Sequence, residues 1–128
     1  MDRREILDRL RAFPYDREEY WVITGAAMVL YGFREQTADI DLGCSAALAD
    51  RLEAEGVPFR RMTNGKRWFR YADAVELFED WLRGSVETVE GFPVISLEGL
   101  LDMKRELGRE KDKKDIELIL SSPASPER

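Results

Sequence analysis

Apolar residues recur at two periods along the chain, and the change of period separates helices from strands. Residues 2–13 have the helical period, with apolar side chains at Ile6, Leu7, Leu10 and Phe13. Four more helices are predicted, at 25–33, 46–55, 97–107 and 110–121. The residues suited to begin or end the middle two are Ser45, Gly56, Ser96 and Gly108.

Runs rich in β-branched and aromatic residues predict six strands between these helices. They are EYWVIT (19–24), TADIDLGC (37–44), VPFRRM (57–62), KRWFRY (66–71), AVELFEDWL (74–82) and FPVIS (92–96). The third and fourth flank Asn64-Gly65, a two-residue hairpin signal. This order predicts a single α/β domain over residues 1–120, with helices on one face of a mixed sheet. The polar, proline-containing segment 121–128 is predicted to be a disordered tail.

Composition removes several classes of function. The chain has 128 residues, which is one domain by size, and no apolar run approaches the roughly 20 residues that span a bilayer. No signal-peptide core is present, and a single cysteine favours a reducing compartment, hence a cytoplasmic location with no membrane partner. The absence of histidine excludes His zinc sites, Ser-His-Asp triads and His general bases.

The charge is unevenly distributed. A net charge of −6 argues against general nucleic-acid binding, yet two basic clusters stand against it. The first comprises Arg60, Arg61, Lys66, Arg67 and Arg70, and the second Lys104, Arg105, Arg109, Lys111, Lys113 and Lys114. Either cluster by itself is more often a solvated face than a binding site.

Two aspartates stand out in the second strand. Asp39 and Asp41 alternate with Ile40 and Leu42, so their carboxylates project from one face. Like charges so close raise each other's pKa unless a cation lies between them, and Mg²⁺ with oxygen ligands is the natural partner. Because the chain has eleven aspartates, one Asp-x-Asp is also expected by chance.

The neighbouring segments add two candidate groups. Gly25 lies where a strand meets a helix, and the backbone there, with Ala26, is suited to approach a phosphate. Glu76 lies mid-strand and could supply a third carboxylate, with Asp73 as a competing candidate and Asp80 as a weaker one. The same spacing fits a purely structural interpretation equally well. In that interpretation Gly25 is a turn glycine, Asp39 and Asp41 are an exposed acidic pair, and Glu76 is a surface glutamate.

The segment ITGAAMVLYGFREQTADIDLGCS resembles the signature of the DNA polymerase beta-like nucleotidyltransferase superfamily. It is close to the form GGxAxxxxGxxRxTxDIDL of the small antibiotic and abortive-infection toxin nucleotidyltransferases. The segment VISLEGLLDMKRELGREKDKKDIELI is similar to the family's lysine-bearing helix followed by Arg-x-Lys-Asp-x-x-Asp. Together the two segments cover about half of the chain, and the resemblance implies the minimal nucleotidyltransferase fold.

The resemblance also implies roles. Gly25 and the Ala26 backbone would meet the nucleotide phosphates, and Asp39 and Asp41 would ligate one or two Mg²⁺ ions. Glu76 would be the third carboxylate and the base for the attacking hydroxyl. The residues that would neutralise the triphosphate are Lys104, Arg109 and Lys111. Two others match the motif, for ligand contact or for loop rigidity: Arg34 and Thr37. Two look structural: Asp112 and Asp115.

The chain departs from the family pattern in two respects. The family's Gly-Ser is Gly25-Ala26 here, so one hydroxyl that would touch a phosphate is missing. The helical acceptor domain of larger members is also missing, so a second subunit or a partner protein could complete the acceptor pocket. Aromatic residues near the first basic cluster could line such a surface or simply belong to the core: Trp68, Phe69, Tyr71 and Trp81.

Two functional hypotheses follow. The first is a Mg²⁺-dependent nucleotidyltransferase that moves an NMP from an NTP to a hydroxyl of a small molecule, RNA or protein. Nucleic acid enters this hypothesis only as a tRNA-like acceptor. The second is an inactive binding module of the same fold, or a toxin–antitoxin partner. Three candidate carboxylates favour the enzyme, while Ala26 and the short chain favour the binding module.

Overall fold

The computed structural model describes residues 1–126, and its elements alternate between helix and strand as the sequence predicts. In chain order they are α1 (Arg3–Ala12), β1 (Tyr20–Ile23), α2 (Thr24–Leu30), β2 (Ile40–Cys44), α3 (Ala46–Ala54), β3 (Phe59–Arg61), β4 (Arg67–Ala72), β5 (Val75–Glu79), β6 (Val86–Val89), β7 (Phe92–Ile95), α4 (Leu97–Leu107) and α5 (Glu110–Leu120).

The strands form one mixed sheet in the order β3-β4-β5-β2-β1-β7-β6. The central strand β2 pairs antiparallel with β1 and parallel with β5, and β1 pairs parallel with β7. The pairs β3–β4, β4–β5 and β6–β7 are antiparallel. A single-domain mixed α/β fold is thereby confirmed. Within the described residues no helix is long and apolar enough to cross a membrane.

The helices cover one face of the sheet and bury a continuous apolar core. Val22, Leu42 and Leu77, one from each of three adjacent strands, are fully buried beneath side chains such as Leu101 of α4. Glu76 and Phe78 alternate with these buried positions on β5, so they belong to the opposite, open face. The open face is therefore where polar and aromatic side chains collect.

Side chains and glycines define the helix ends where the sequence predicts them. Ser45 and Ser96 accept hydrogen bonds from the backbone of Leu48 and Gly99. Gly108 ends α4 with a φ of 62°, a left-handed conformation that glycine adopts readily. Gly108 thus sets the turn between α4 and α5, and the cavity residues Leu107, Arg109 and Lys111 lie beside it.

The structure corrects the sequence prediction at two hairpins. β6 was not predicted, because its side chains are mostly exposed and carry no period-two apolar pattern. It forms by pairing with β7 through a turn in which Glu90 and Gly91 both have positive φ. The β3–β4 hairpin is present, but its connection is longer than two residues, because the Gly65 N–H bonds to the Met62 carbonyl within the loop.

The segment after α5 continues in turns over residues 121–126. Residues 127 and 128, which belong to the predicted disordered tail, lie outside the described residues. The division into a domain at 1–120 and a disordered tail stays a prediction.

An ion-pair cluster joins one end of the sheet to α3. The Arg67 guanidinium donates two hydrogen bonds to Glu79, at 3.0 and 2.8 Å, and others to Asp50 and Glu53. The Arg67 backbone N–H also bonds to Glu79. Arg67 and Glu79 are 8% and 7% exposed. The hydrogen bonds from Arg67 lower the pKa of Glu79 to about 2 against the opposing effect of burial.

Candidate functional site

Asp41 lies at the centre of the open face, in the central strand. Its Cα partners are Ile23 on β1 and Glu76 on β5. The Oδ2 atom accepts a hydrogen bond from Thr24 at 2.7 Å, whereas the buried Oδ1 atom has no partner among the described residues. An unpartnered buried carboxylate oxygen is costly, so it calls for an explanation such as a missing cation.

The surroundings of Asp41 raise the pKa of its carboxyl above the ordinary value. Burial raises its pKa, and the negative charges of Glu76 and Asp39 raise it further. The hydrogen bond from Thr24 and the positive charge of Lys111 oppose that rise. The other two predicted carboxylates, Glu76 and Asp39, and the predicted phosphate-binding Lys111 are therefore close enough to act on the charge of Asp41.

Thr24 is a site residue that the sequence analysis missed. It has a φ of 50°, which is rare for a β-branched residue, at the first position of α2. This backbone conformation accompanies the hydrogen bond from its hydroxyl to Asp41. Strained residues of this kind concentrate at functional sites. The only signal in the sequence was a threonine at the strand–helix junction, too common a feature to single out.

The three predicted carboxylates are neighbours without forming a ready metal cage. Asp39 is exposed and directly precedes β2. Glu76 lies 3.4 Å from Arg70 Nη2 through its Oε1 atom. Among residues 1–126, no group of three acidic, cysteine or histidine side chains is arranged to hold a metal ion.

The competing acidic candidates have other surroundings. Asp80 pairs with Lys66 at 3.0 Å, and Asp73 lies exposed in the β4–β5 turn. Neither contributes to the raised pKa of Asp41, whereas Glu76 does. The positions on the sheet therefore favour Glu76 as the third carboxylate, an assignment that stays a prediction.

The residues fit a hard cation through one atom in particular. The unpartnered Oδ1 of Asp41 is a buried oxygen with a second carboxylate beside it on β5 and a third just before β2. Oxygen donors alone suit Mg²⁺ and not softer metals. Full enclosure would need the Glu76 carboxylate to turn from Arg70 towards Asp41.

Gly25 is required by close packing of the loop that precedes β2. A Cβ atom at this position would lie 2.5 Å from Thr37 Oγ1 and 3.0 Å from Arg34 Nη1. The Thr37 backbone N–H bonds to the Met1 carbonyl, which helps to hold the loop there. The two roles considered for Arg34 and Thr37, loop rigidity and ligand contact, thus both have support. These residues pack over Gly25 and also line the same cavity as Asp41.

Arg34 belongs to a buried network of opposite charges. Its Nη2 atom contacts both carboxylate oxygens of Asp115, at 2.8 and 2.6 Å. Lys104, which is 4% exposed, donates to the same carboxylate at 2.9 Å and lies 3.6 Å from Asp112. Asp115, which the sequence analysis took as structural, thus also orients two of the predicted phosphate-binding cations.

Asp112 anchors the start of α5. Its carboxylate accepts hydrogen bonds from the Arg109 side chain and backbone. Burial opposes ionisation of Asp112, but the Arg109 hydrogen bonds and the nearby Lys104 charge outweigh it and lower its pKa. Arg109 is consequently held near Asp41, whose charge contributes to its raised pKa.

A cavity of about 590 Å³, here called the central cavity, brings these groups together. Eight of the ten predicted site residues line it: Gly25, Arg34, Thr37, Asp39, Asp41, Lys104, Arg109 and Lys111. Of the other two, Ala26 is fully buried in the core, and Glu76 lines an adjoining cavity of about 470 Å³, here called the outer cavity. The proposed backbone contact of Ala26 with phosphate stays a prediction.

Aromatic side chains form one wall of the central cavity. Trp68 stacks on Phe78 with ring centroids 5.7 Å apart, and Phe78 meets Trp81 edge-on at 5.1 Å. Gly43 leaves room for Trp21, whose indole N–H donates to the Trp81 carbonyl at 2.9 Å. Of the four aromatics that the sequence left open, Trp68 and Trp81 line this cavity. Phe69 is fully buried, and Tyr71 packs against Phe13 and Tyr15.

Comparison with solved structures identifies the fold. A candidate nucleotidyltransferase from Thermotoga maritima matches with a TM-score of 0.63 and 21% identity, covering 91% of this chain and 93% of that one. The lincosamide antibiotic adenylyltransferase LnuA, in a lincomycin-bound structure, matches with a TM-score of 0.50, 18% identity and the same coverages. No protein-family model and no curated protein matches the sequence. The chain therefore has the minimal nucleotidyltransferase fold that its two motif segments predict.

Proposed function

We propose that the protein is a Mg²⁺-dependent nucleotidyltransferase that transfers an NMP from an NTP to an acceptor hydroxyl. The observation that carries this proposal is the buried, unpartnered Oδ1 atom of Asp41 at the base of a cavity lined with cations. The raised pKa of Asp41 shows that its charged form is unfavourable beside Glu76 and Asp39. The same arrangement of carboxylates suits the binding of a metal–nucleotide complex.

The charges of the central cavity suit a triphosphate. Four cationic side chains line it, Arg34, Lys104, Arg109 and Lys111, against three aspartates, Asp39, Asp41 and Asp115. Lys104 and Arg34 are held in place by Asp115, so little side-chain entropy is lost when they meet phosphate oxygens. Lys111 is exposed and has no ion pair within residues 1–126, so its charge is free to act on the nucleotide.

Glu76 can act as a base only after it leaves Arg70. Their separation of 3.4 Å is long for an ion pair, and the Arg70 side chain is 76% exposed although that of Glu76 is only 17% exposed, so the pair is weak. Such pairs contribute about 0–1 kcal/mol, so reorientation towards Asp41 costs little. The Cα atoms of Asp41 and Glu76 are direct partners across β2 and β5, so the proposal requires a rotation of the Glu76 side chain and no change in the strands.

The reaction is an in-line displacement at the α-phosphorus. The acceptor oxygen forms a bond to phosphorus while the bond to the bridging α–β oxygen breaks, and pyrophosphate leaves with that electron pair. The acceptor proton passes to the Glu76 carboxylate. When bound by Asp39, Asp41 and Glu76, Mg²⁺ would neutralise charge on the reacting phosphate and align it. The cations of α4 and α5 stabilise the pyrophosphate.

The second candidate function, an inactive binding module, is favoured by a different observation. Arg34 and Thr37 already occupy the space above Gly25, where a phosphate would approach. Ala26 is fully buried, so no hydroxyl is supplied there. A protein of this kind would bind nucleotide weakly or not at all and would act through a partner.

Turnover separates the two candidates. Purified protein is incubated with Mg²⁺, labelled NTPs and separate pools of tRNA, aminoglycosides, lincosamides and candidate proteins, and pyrophosphate release and label transfer are measured. The proposal expects one pool to be labelled, and Glu76→Gln to lower the rate by about 100-fold or more while NTP–Mg²⁺ binding is kept.

The matched control is Glu87→Gln, the same change on the exposed strand β6, which should keep full activity. Weak NTP–Mg²⁺ binding, or none, with no turnover in any pool would support the binding module. Label transfer that survives Glu76→Gln would remove Glu76 from the proposed base role.

A further inference from the structure

We propose that the acceptor is the 3′-terminal nucleotide of a single-stranded nucleic acid, held in the outer cavity. This inference rests on the proposed nucleotidyl transfer and names its substrate class. The cavity is lined by Arg60, Arg70, Trp68, Phe59, Pro58 and Glu76.

The order of the strands places the acceptor on the β5 side of Asp41. In-line displacement needs the attacking hydroxyl and the departing pyrophosphate on opposite sides of the phosphorus. The cations suited to pyrophosphate, Lys104, Arg109 and Lys111, come from α4 and α5 and line the central cavity. Glu76 lies one strand further on, followed by β4 and β3. The hydroxyl that Glu76 deprotonates therefore belongs to a molecule lying over β5, β4 and β3.

That part of the sheet carries free positive charge. Arg60 is opposite Trp68 on the neighbouring strand, and Arg70 is opposite Glu76, so all four share the open face. Arg60 is exposed and has no ion pair among residues 1–126. Arg70 has only the weak contact with Glu76. Two arginines against one carboxylate, in a chain of net charge −6, favour an anionic acceptor and disfavour a cationic antibiotic.

The residues of the first basic cluster thus have two different roles. Arg67 is buried against Glu79, and Lys66 pairs with Asp80, so both serve the fold. Arg60 has no ion pair among the described residues and Arg70 has only the 3.4 Å contact with Glu76, so both remain available to phosphate oxygens, for which the planar guanidinium is well shaped.

Trp68 supplies a flat surface between these two arginines. Its ring is nearly parallel to that of Phe78, with an interplanar angle of 10°. Because Phe78 lies on the β5 side, the opposite face of the indole is turned towards β3 and the outer cavity. An aromatic platform flanked by cations is the usual arrangement for binding single-stranded nucleic acid without sequence readout.

Acceptor binding would also release Glu76. A phosphate of the acceptor competes with Glu76 for Arg70, which frees the Glu76 carboxylate to turn towards Asp41. The 3′-hydroxyl oxygen then bonds to the α-phosphorus, its proton goes to Glu76, and pyrophosphate leaves. The product is the strand lengthened by one nucleotide.

The test is binding of a fluorescein-labelled single-stranded oligonucleotide, followed by anisotropy in EDTA without NTP. With about two phosphates neutralised, affinity should fall about sevenfold between 50 and 200 mM salt. Trp68→Ala should weaken binding about tenfold or more, and Trp68→Phe should restore most of it. The double change Arg60→Gln with Arg70→Gln should weaken binding and flatten the salt dependence.

Arg61→Gln is the matched control. It removes the same charge from the same strand, but from the adjacent residue, on the opposite face of the sheet, and should leave binding unchanged. Melting temperatures exclude unfolding as the cause of any loss. An affinity that responds equally to Arg60→Gln and Arg61→Gln, or no binding in the wild type, would overturn the inference.

The outcomes distinguish this inference from the proposed function. Asp41→Asn should keep oligonucleotide binding and lose transfer. NTP–Mg²⁺ binding and pyrophosphate release with a small-molecule or protein acceptor, but no oligonucleotide binding, would refute only the acceptor class. Oligonucleotide binding without nucleotide transfer to that oligonucleotide also contradicts the inference, since the bound strand would not be an acceptor.

Discussion

Two carboxylates, the half-buried Asp41 and the buried Glu79, lie on adjacent central strands of one sheet and have opposite environments. Glu79 on β5 accepts hydrogen bonds at both oxygens from Arg67, and its pKa falls to about 2. Asp41 on β2 has one hydrogen bond, one oxygen without a partner, and a raised pKa. The carboxylate of Glu79 has hydrogen-bond partners at both oxygens, whereas Oδ1 of Asp41 has none among the described residues.

This difference separates stability from function within a few strands. A buried charge with a full set of hydrogen bonds holds the structure together, and its removal leaves an uncompensated partner. A buried charged atom without a partner destabilises the folded protein. A ligand of opposite charge that binds this atom stabilises the folded protein in turn. Substitutions in the two regions should therefore shift stability in opposite directions.

The largest effect is expected from Glu79→Ala. It leaves Arg67 buried with only the two more exposed carboxylates, Asp50 and Glu53, and should lower the free energy of unfolding by about 3–5 kcal/mol. Urea denaturation at pH 7 measures the change. The paired replacement Arg67→Met with Glu79→Leu should recover much of the loss, because no buried charge is then left unpaired and Asp50 and Glu53 are solvated.

Acid titration gives the same comparison a second readout. The folded-state pKa of Glu79 lies below the unfolded value of 4.5, so its contribution is present above pH 4.5 and is lost as pH falls towards 2. A shift of this size corresponds to about 3 kcal/mol. In Glu79→Gln this part of the pH dependence should disappear; an unchanged acid limb would contradict the assignment.

The second effect concerns Asp41→Asn. Because the raised pKa of Asp41 makes the folded state lose stability as pH rises through that pKa, the neutral amide should raise the melting temperature of the metal-free protein at pH 7. The same change should abolish stabilisation by NTP–Mg²⁺, which in the wild type is about 2.7 kcal/mol at a hundredfold excess over the Kd.

Asp102→Asn on the exposed surface of α4 provides the control for removing one negative charge. It should alter neither the metal-free melting temperature nor the response to nucleotide. If Asp41→Asn lowered stability instead, the carboxylate would already have a partner in the native protein.

The smallest effect is expected from Thr24→Val. It keeps the β-branched shape and removes the hydroxyl that donates to Asp41, so the pKa of Asp41 should rise further. Hydrogen bonds to charged groups contribute about 1.5–3 kcal/mol, and loss of this single bond should cost an amount near the lower end of that range. Metal binding should shift to higher pH in a Mg²⁺ titration, and Thr24→Ser should behave like the wild type.

The fold could be predicted because most elements carry local signals. Helical spacing, the serine caps and the glycine at the end of α4 correspond directly to observed helix ends. β6 had no such signal, because its stability comes from pairing with β7 and not from its own pattern. The connection at Asn64-Gly65 differed because the left-handed glycine closes a longer loop.

The candidate site was predictable where residues are near in sequence and hidden where they are distant. Asp39, Asp41 and Gly25 belong to one continuous segment, and the cavity gathers all three. The pairing of Arg34 with Asp115 joins positions 81 residues apart, and the φ of Thr24 depends on the local chain path. Neither can be read from spacing, because each depends on tertiary contacts.

The parallel pairing of β1 with β7 has a kinetic consequence. Val22 and Val94, which define this pairing, are 72 residues apart, and contacts between distant residues form slowly during folding. The loop over Gly25 depends on a residue still further along the chain, because Asp115 in α5 holds Arg34. We therefore expect the hairpins β3–β4 and β4–β5 to protect their amides first in pulse-labelled hydrogen exchange. The central cavity would then be the last region to become ordered as the protein folds.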